Sequence, residues 1–494
     1  MKRPIYIFLL PVFFVFHGYV ENFRAMHFLD CLPLIAIYWG VTSVFLLIFY
    51  FLLKDQHKAA IMTLAIMSFY FFFGALHDFL VQHNIFLHRY SLLLPLFLAG
   101  CILLYLGLRR KRSFTRLCLF LNSLLLIYLL VDGITLVSAH QAGPNTRLSS
   151  SGIAYKPCND CPKPDIYLLL FDEYSNSSVL KNVYGYDNSA LDSFLAREGF
   201  YLETNSRSNY QMTVFSMASM LNMAYLHIRD TNNVGMPDFE EVMSPHRKEG
   251  AIDLLSSMGY AIVNNSAFDL PDHPTSFDQP YILTRTRLIT SRTLIDYMIK
   301  DIGFTLKSWI LQNKAAVMED EYSRVRKINE TMFLKTLETS VRTSDTPRFI
   351  YMHVFLPHAP HMYDSLFHPL HYKEIARNEN QEQIRLYLNY IPYTNKKIRE
   401  IVTAIKKNTD GKAVIIFMSD HGMRYTRPGE ERNPYCFNNQ AAIYFPDRDY
   451  RMLNDSLTAV NQFRVLFNKL FQQQLPLLKD STFYLDKNTD APSE

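Results

Sequence analysis

Side chains able to do chemistry gather, in this sequence of 494 residues, just behind short apolar runs. The run Ile-Tyr-Leu-Leu-Leu-Phe ends at Phe171 and is followed by Asp172-Glu173-Tyr174. Phe349–Phe355 is followed by Leu356-Pro357-His358-Ala359-Pro360-His361. Val414–Met418 is followed by Ser419-Asp420-His421-Gly422, with Arg424 two residues on. Each run reads as a buried strand, and in open α/β sheets reacting groups collect beyond the carboxyl ends of strands. Three strand ends bearing carboxylate and imidazole can therefore meet on one edge. Asp and His beside a hydroxyl form a ligand set that suits zinc or another divalent transition metal. Taken alone, Asp420-His421-Gly422 is also an ordinary polar turn. His353, inside an apolar strand, reads as a satisfied core or near-site histidine, with a ligand role as the alternative. Arg424 fits an anionic substrate or a surface salt bridge equally well.

The elements that must hold these groups are legible in outline. Strands are expected at Asp165–Phe171, Ala261–Val263, Arg348–Phe355 and Ala413–Met418. Helical patterns lie between and around them, at Ser189–Glu198, Phe215–Leu221, Lys248–Met258 and Leu386–Lys407. Alternation of this kind predicts an α/β domain with a mostly parallel central sheet, over residues 164–494. A polar linker with Gly and Pro precedes it, over residues 141–163.

Residues 1–140 differ in kind. Five apolar stretches, at Ile5–Val20, Leu32–Leu53, Ala59–Val81, Tyr90–Leu108 and Leu117–Val137, predict a five-helix transmembrane region. Basic clusters stand at Lys2-Arg3, at Lys54 and Lys58, and at Arg109-Arg110-Lys111-Arg112 with Arg116. Five spans with a cytoplasmic N-terminus put every cluster inside and everything after the fifth span outside. Eleven Lys/Arg against five Asp/Glu up to Gly143 account for more than the whole net charge of +4. The remainder is slightly acidic, which leaves no electrostatic footprint for nucleic acid. Among six cysteines, Cys158 and Cys161 form a C-x-x-C without the further ligands of a zinc site, and read as a short-loop disulfide or two free thiols.

The ordered stretches PDIYLLLFDEYSN, YGYDNSALDSFLAREGFYLETNSRSNYQMTVFSMASMLNM, FLPHAPHMYD and FMSDHGMR resemble the alkaline phosphatase/sulfatase superfamily. The layout resembles its membrane-anchored branch, the lipoteichoic acid synthases and lipid A phosphoethanolamine transferases. The resemblance covers about residues 163–480 and implies an alkaline-phosphatase-like α/β domain. It implies metal ligands at Asp172, Thr213, Asp420 and His421, with Thr213 as nucleophile and His358 serving substrate or a second metal. His361 stands where the family more often has an apolar residue, and with Arg424 it is a candidate substrate contact. Glu173 departs from relatives that carry a small residue there, and a shifted register would make it the ligand in place of Asp172. Family sulfatases need a C/S-x-P-x-R motif, whereas the sequence here reads Met212-Thr213-Val214-Phe215-Ser216. That favours phosphoester over sulfate-ester chemistry.

The resemblance thus implies a multi-pass enzyme of the cell inner membrane with a periplasmic catalytic domain and a divalent metal, zinc first, then manganese or magnesium. It would pass a phosphoglycerol- or phosphoethanolamine-type group from a phospholipid donor to an envelope glycan or lipid, through a phospho-threonine. The alternatives are a phosphodiesterase or phosphatase with water as acceptor, and a non-catalytic envelope binding protein.

Overall fold

A computed structural model describes residues 3–110, 114–142, 147–148, 155–156, 158, 160–243, 250–277, 285–303, 314–375 and 379–488. The chain forms two compact units. One comprises residues 1–143 with 282–314, and the other residues 144–281 with 315–494.

The first unit is helical: α1 Tyr6–Glu21, α2 Phe28–Leu53, α3 Gln56–Phe71, α4 Phe73–Gln82, α5 Tyr90–Leu108 and α6 Thr115–Ala142. The sequence punctuates these helices clearly. Asp55 caps α3 by accepting from the backbone N–H groups of His57 and Lys58. By length and composition α2, α5 and α6 can each cross a membrane, and α3 with α4 makes a fourth crossing if the bent pair is one span. Among the described residues, three or four of the five expected spans meet that length and composition. At 16 residues, α1 is shorter than the roughly 20 a span needs. The third stretch breaks at Phe72, where α3 and α4 diverge by 57°.

Residues 285–303 return to this unit after more than a hundred residues spent in the other. Ile289 joins its apolar core, and Leu294 and Tyr297 pack around Phe73. The Tyr297 hydroxyl donates to Asp78, and the Tyr90 hydroxyl donates to Asp301. Gly74 donates its N–H to the carbonyl of Arg292, and a Cβ there would lie 2.6 Å from that oxygen, so no larger residue fits.

The second unit is built on a sheet. Its strands are β1 Arg147–Leu148, β2 Ile166–Phe171, β3 Tyr201–Leu202, β4 Leu226–His227, β5 Ala261–Ser266, β6 Arg348–Val354, β7 Val414–Met418 and β8 Ala441–Tyr444. β1 and β4 pair separately. The other six form one sheet in the order β3-β8-β7-β2-β6-β5. From β7 to β5 neighbours run parallel, but β8 is antiparallel to both of its neighbours, so the sheet is mixed. The cause lies in the connection: no helix intervenes between β7 and β8, and without a crossover the chain returns antiparallel.

Period-two alternation sorts the strand residues onto two faces. Tyr167, Leu169, Phe171, Ile415 and Phe417 pack with Ile391, Ile398 and Val402 of the helix Asn380–Asn408. Leu168, Leu170, Phe349, Tyr351, Ile416 and Met418 pack beneath the helices Thr213–Asn222, Gly250–Ser257 and Ala459–Phe471. The helix expected from Lys248 is described from Gly250, residues 244–249 lying outside the described set. Cys158 and Cys161 form a disulfide, while Cys436 is free and buried.

Just past β3, the backbone N–H of Glu203 donates to Ala441, and its buried Oε2 accepts from Nε2 of Gln462 at 2.5 Å. Burial pushes this carboxyl from an ordinary 4.5 up to about 8. Between those values the folded state holds a proton that the unfolded chain has lost. Its stabilising share is therefore complete below about pH 4.5 and gone above about pH 8. Glu203→Gln is expected to raise the thermal midpoint at pH 8 by several degrees and to change it little at pH 4.5. A uniform shift across that range would remove Glu203 from the explanation.

Candidate metal centre

β2, β6 and β7 lie side by side and in register, with Leu170 opposite both His353 and Met418. Continuing the alternation two residues past Leu170 and Met418 reaches Asp172 and Asp420. Both therefore leave the sheet on the face covered by the helix Thr213–Asn222, whose first residue is Thr213. Asp172, Asp420 and His421 are buried, with ligand-capable atoms all within 4.8 Å of one another. Nε2 of His421 lies 3.2 Å from Oδ2 of Asp420, 3.8 Å from Oδ1 of Asp172 and 3.2 Å from the Thr213 hydroxyl oxygen.

The surrounding backbone holds these groups in place. Oδ1 of Asp420 accepts from the N–H groups of Glu173 and His421. The Ser216 hydroxyl, one turn along from Thr213, donates to the Asp420 carbonyl. Nδ1 of His421 lies 2.9 Å from the Gly422 carbonyl. Gly422 is a glycine for space: a Cβ would meet the carbonyl oxygens of Asn438 at 2.7 Å and Tyr435 at 2.8 Å.

Beside the cluster stands a second set. Nε2 of His358 lies 3.0 Å from the Arg424 guanidinium and 3.8 Å from Oε2 of Glu173. Oε1 of Glu173 accepts from the Arg424 backbone N–H at 2.8 Å. Glu173 thus faces Arg424 and His358, while Asp172 faces His421. His361 is fully buried among the rings of Tyr387, Tyr390 and Tyr425, with Nδ1 on the Pro357 carbonyl.

Electrostatics follow from this arrangement. Burial would raise the Glu173 carboxyl, but Arg424, His358 and His421 outweigh burial and hold it below its ordinary range. Burial also opposes ionisation of Asp420. There His421 and His353, with the Glu173 N–H, carry it below the ordinary range. Burial lowers both His358 and His361, so both imidazoles are neutral near pH 7. Two carboxylates, an imidazole nitrogen and a hydroxyl converging where all are buried form a donor set that fits a divalent metal ion.

His353 was the residue hardest to place from sequence. It is fully buried at the C-terminal end of β6, with Nε2 4.0 Å from Oδ2 of Asp172 and Nδ1 2.9 Å from the Tyr351 hydroxyl. Burial pushes it down to about 4, so it too is neutral. The signal that finds it is strand parity, since Phe349, Tyr351 and His353 share the face of Leu170.

A metal-binding edge of this kind on a mixed α/β sheet defines a class of metal-dependent enzyme. A family model described as Sulfatase matches residues 164–463, and the chain belongs to that family. It is an enzyme of the sulfatase-like type. No curated protein matches the chain in sequence. Among solved structures it is similar to the integral membrane lipooligosaccharide phosphoethanolamine transferase A (EptA) from Neisseria meningitidis. That match is 14% identical, covers 95% of each chain and has a TM-score of 0.42. It is also similar to the C-terminal periplasmic domain of EcEptC from Escherichia coli in complex with Zn. There the identity is 11%, the cover 69% of this chain and 96% of that one, and the TM-score 0.41. The corresponding domain of phosphoethanolamine transferase EptC from Campylobacter jejuni is 16% identical over 66% of this chain and 95% of that one, with a TM-score of 0.39.

Proposed function

We propose that this enzyme is a membrane-anchored, metal-dependent phosphoryl-headgroup transferase. It takes a phosphoglycerol- or phosphoethanolamine-type group from a phospholipid and passes it to a cell-envelope glycan or lipid. The observation that carries the reading is the Thr213 hydroxyl, buried at the first position of its helix and 3.2 Å from Nε2 of His421 within the Asp172–Asp420–His421 cluster. A divalent cation held there, zinc by its mixed oxygen and nitrogen donors, would lower the pKa of that hydroxyl and offset phosphoryl charge.

The chain's own groups supply the rest. The Thr213 oxygen gives up its proton, which solvent carries to the departing lipid oxygen, and forms a bond to phosphorus as the bond from phosphorus to that lipid oxygen breaks, leaving a phospho-threonine. The first N–H groups of the Thr213 helix point toward the phosphoryl oxygens. Arg424 offers a cation to the anionic substrate. His358, neutral near pH 7, takes the proton of the incoming acceptor hydroxyl, whose attack breaks the bond from phosphorus to Thr213. Among the described residues, three helices long and apolar enough to cross a membrane support a multi-pass protein. The positions of the basic loops support an inner-membrane setting with the sheet unit in the periplasm.

The test is peptide mass spectrometry across Thr213 after incubating the full-length protein with zinc and vesicles of phosphatidylglycerol or phosphatidylethanolamine. A phosphoglycerol or phosphoethanolamine adduct on Thr213 is the expected result and identifies the donor. Headgroup released to water, with an added glycan acceptor left unmodified, would make the enzyme a hydrolase. A bare Thr213 with the lipids intact would end the lipid-donor reading.

A further inference from the structure

We propose that His353 is a nitrogen ligand of the same divalent ion, so that two imidazoles hold the centre and not one. The inference rests on the metal-dependent reading above and deepens it. Nε2 of His353 is buried and has no hydrogen-bond partner among the described residues. Its 4.0 Å separation from Oδ2 of Asp172 is too long for a hydrogen bond. It does fall within the distance between two ligands of one ion, each bonded at about 2.0–2.2 Å.

Two independent features agree with that role. First, the two imidazoles flank one carboxylate: His421 lies 3.8 Å from Oδ1 of Asp172, and His353 lies 4.0 Å from Oδ2. Second, each imidazole has its far nitrogen engaged, His421 on the Gly422 carbonyl and His353 on the Tyr351 hydroxyl. Metal-bound histidines regularly use the far nitrogen this way, since donating that N–H fixes the tautomer and leaves Nε2 as a bare lone pair. The neighbouring ring is Phe268, 4.8 Å away between centroids, which provides no partner for Nε2 of His353. Parity completes the argument, because the strand alternation that delivers Asp172 and Asp420 to this face also delivers His353.

Zinc X-ray absorption on the full-length protein in detergent, loaded with one equivalent of zinc, counts the imidazoles directly. Two per zinc are expected in the parent and one in His353→Gln, with zinc affinity falling at least tenfold in the variant. Tyr351→Phe keeps the imidazole and removes its hydroxyl partner. It is expected to weaken zinc binding about tenfold at an unchanged count of two, and it serves if His353→Gln does not fold. One imidazole per zinc in the parent, or an unaltered count and affinity in His353→Gln, would overturn the role of His353 alone. A parent that takes up no zinc, or a bound zinc indifferent to Asp420→Asn, would overturn the metal centre and this inference together.

Discussion

Replacing Thr213 by valine is expected to lower phosphodiester turnover by at least three to four orders of magnitude, to the level of binding and electrostatics alone. The substitution keeps the β-branched shape and removes only the hydroxyl, the oxygen proposed to form the bond to phosphorus. Thr213 does not cap its helix, since the N-cap position belongs to Met212. The variant should therefore fold, with a midpoint within a few degrees of the parent. Thr213→Ser restores a hydroxyl and should recover a measurable rate. Initial rates on bis(p-nitrophenyl) phosphate with saturating zinc make the comparison. If Thr213→Val kept a tenth or more of parental turnover, another group would have to be the nucleophile and the phospho-threonine would go.

The second large effect is on metal. Asp420→Asn should cut zinc affinity by at least about a hundredfold, since removing even an outer-shell partner costs 10–100-fold. The amide keeps an oxygen to accept from the Glu173 and His421 N–H groups, so the local backbone stays satisfied. What is lost is the charge. Bound metal stabilises a fold by about 2.7 kcal/mol at a hundredfold excess over Kd. The rise in thermal midpoint that zinc gives the parent should therefore vanish in the variant. Without zinc the variant should be somewhat less stable than the parent at pH 7, because the fold holds the Asp420 carboxyl below its ordinary range and so favours its ionised form. A variant that still gains several degrees from zinc would show that Asp420 is not a ligand.

Much of this site could be read before any coordinates, because strand-end motifs announce themselves. Asp172, His358, Asp420 and Arg424 each follow an apolar run, and each stands at one sheet edge. The short strands and paired faces were harder. β8 is only Ala441–Tyr444, four residues in a long loop region, and its direction depends on a connection that leaves no periodic signal. His353 was obscured by its neighbours: an imidazole inside an apolar strand resembles filler until the register shows what stands opposite it. The helical unit shows the opposite failure. Hydropathy finds its stretches but cannot see that Phe72 bends one of them by 57°, or that residues 282–314 belong to it.

That last feature governs how the enzyme can be taken apart. The linker before the sheet invites a cut that would free a water-soluble fragment from residue 164 onward. Such a fragment keeps residues 285–303 yet loses the helices on which they pack. Ile289 would be stripped of its apolar neighbours and Tyr297 of Asp78, while Ile295 and Ile299 are already exposed. The fragment would carry an apolar insert in mid-chain and would stay with detergent or lipid after its anchor was gone. Replacing residues 282–314 with a flexible Gly/Ser linker is the change that would release it into water.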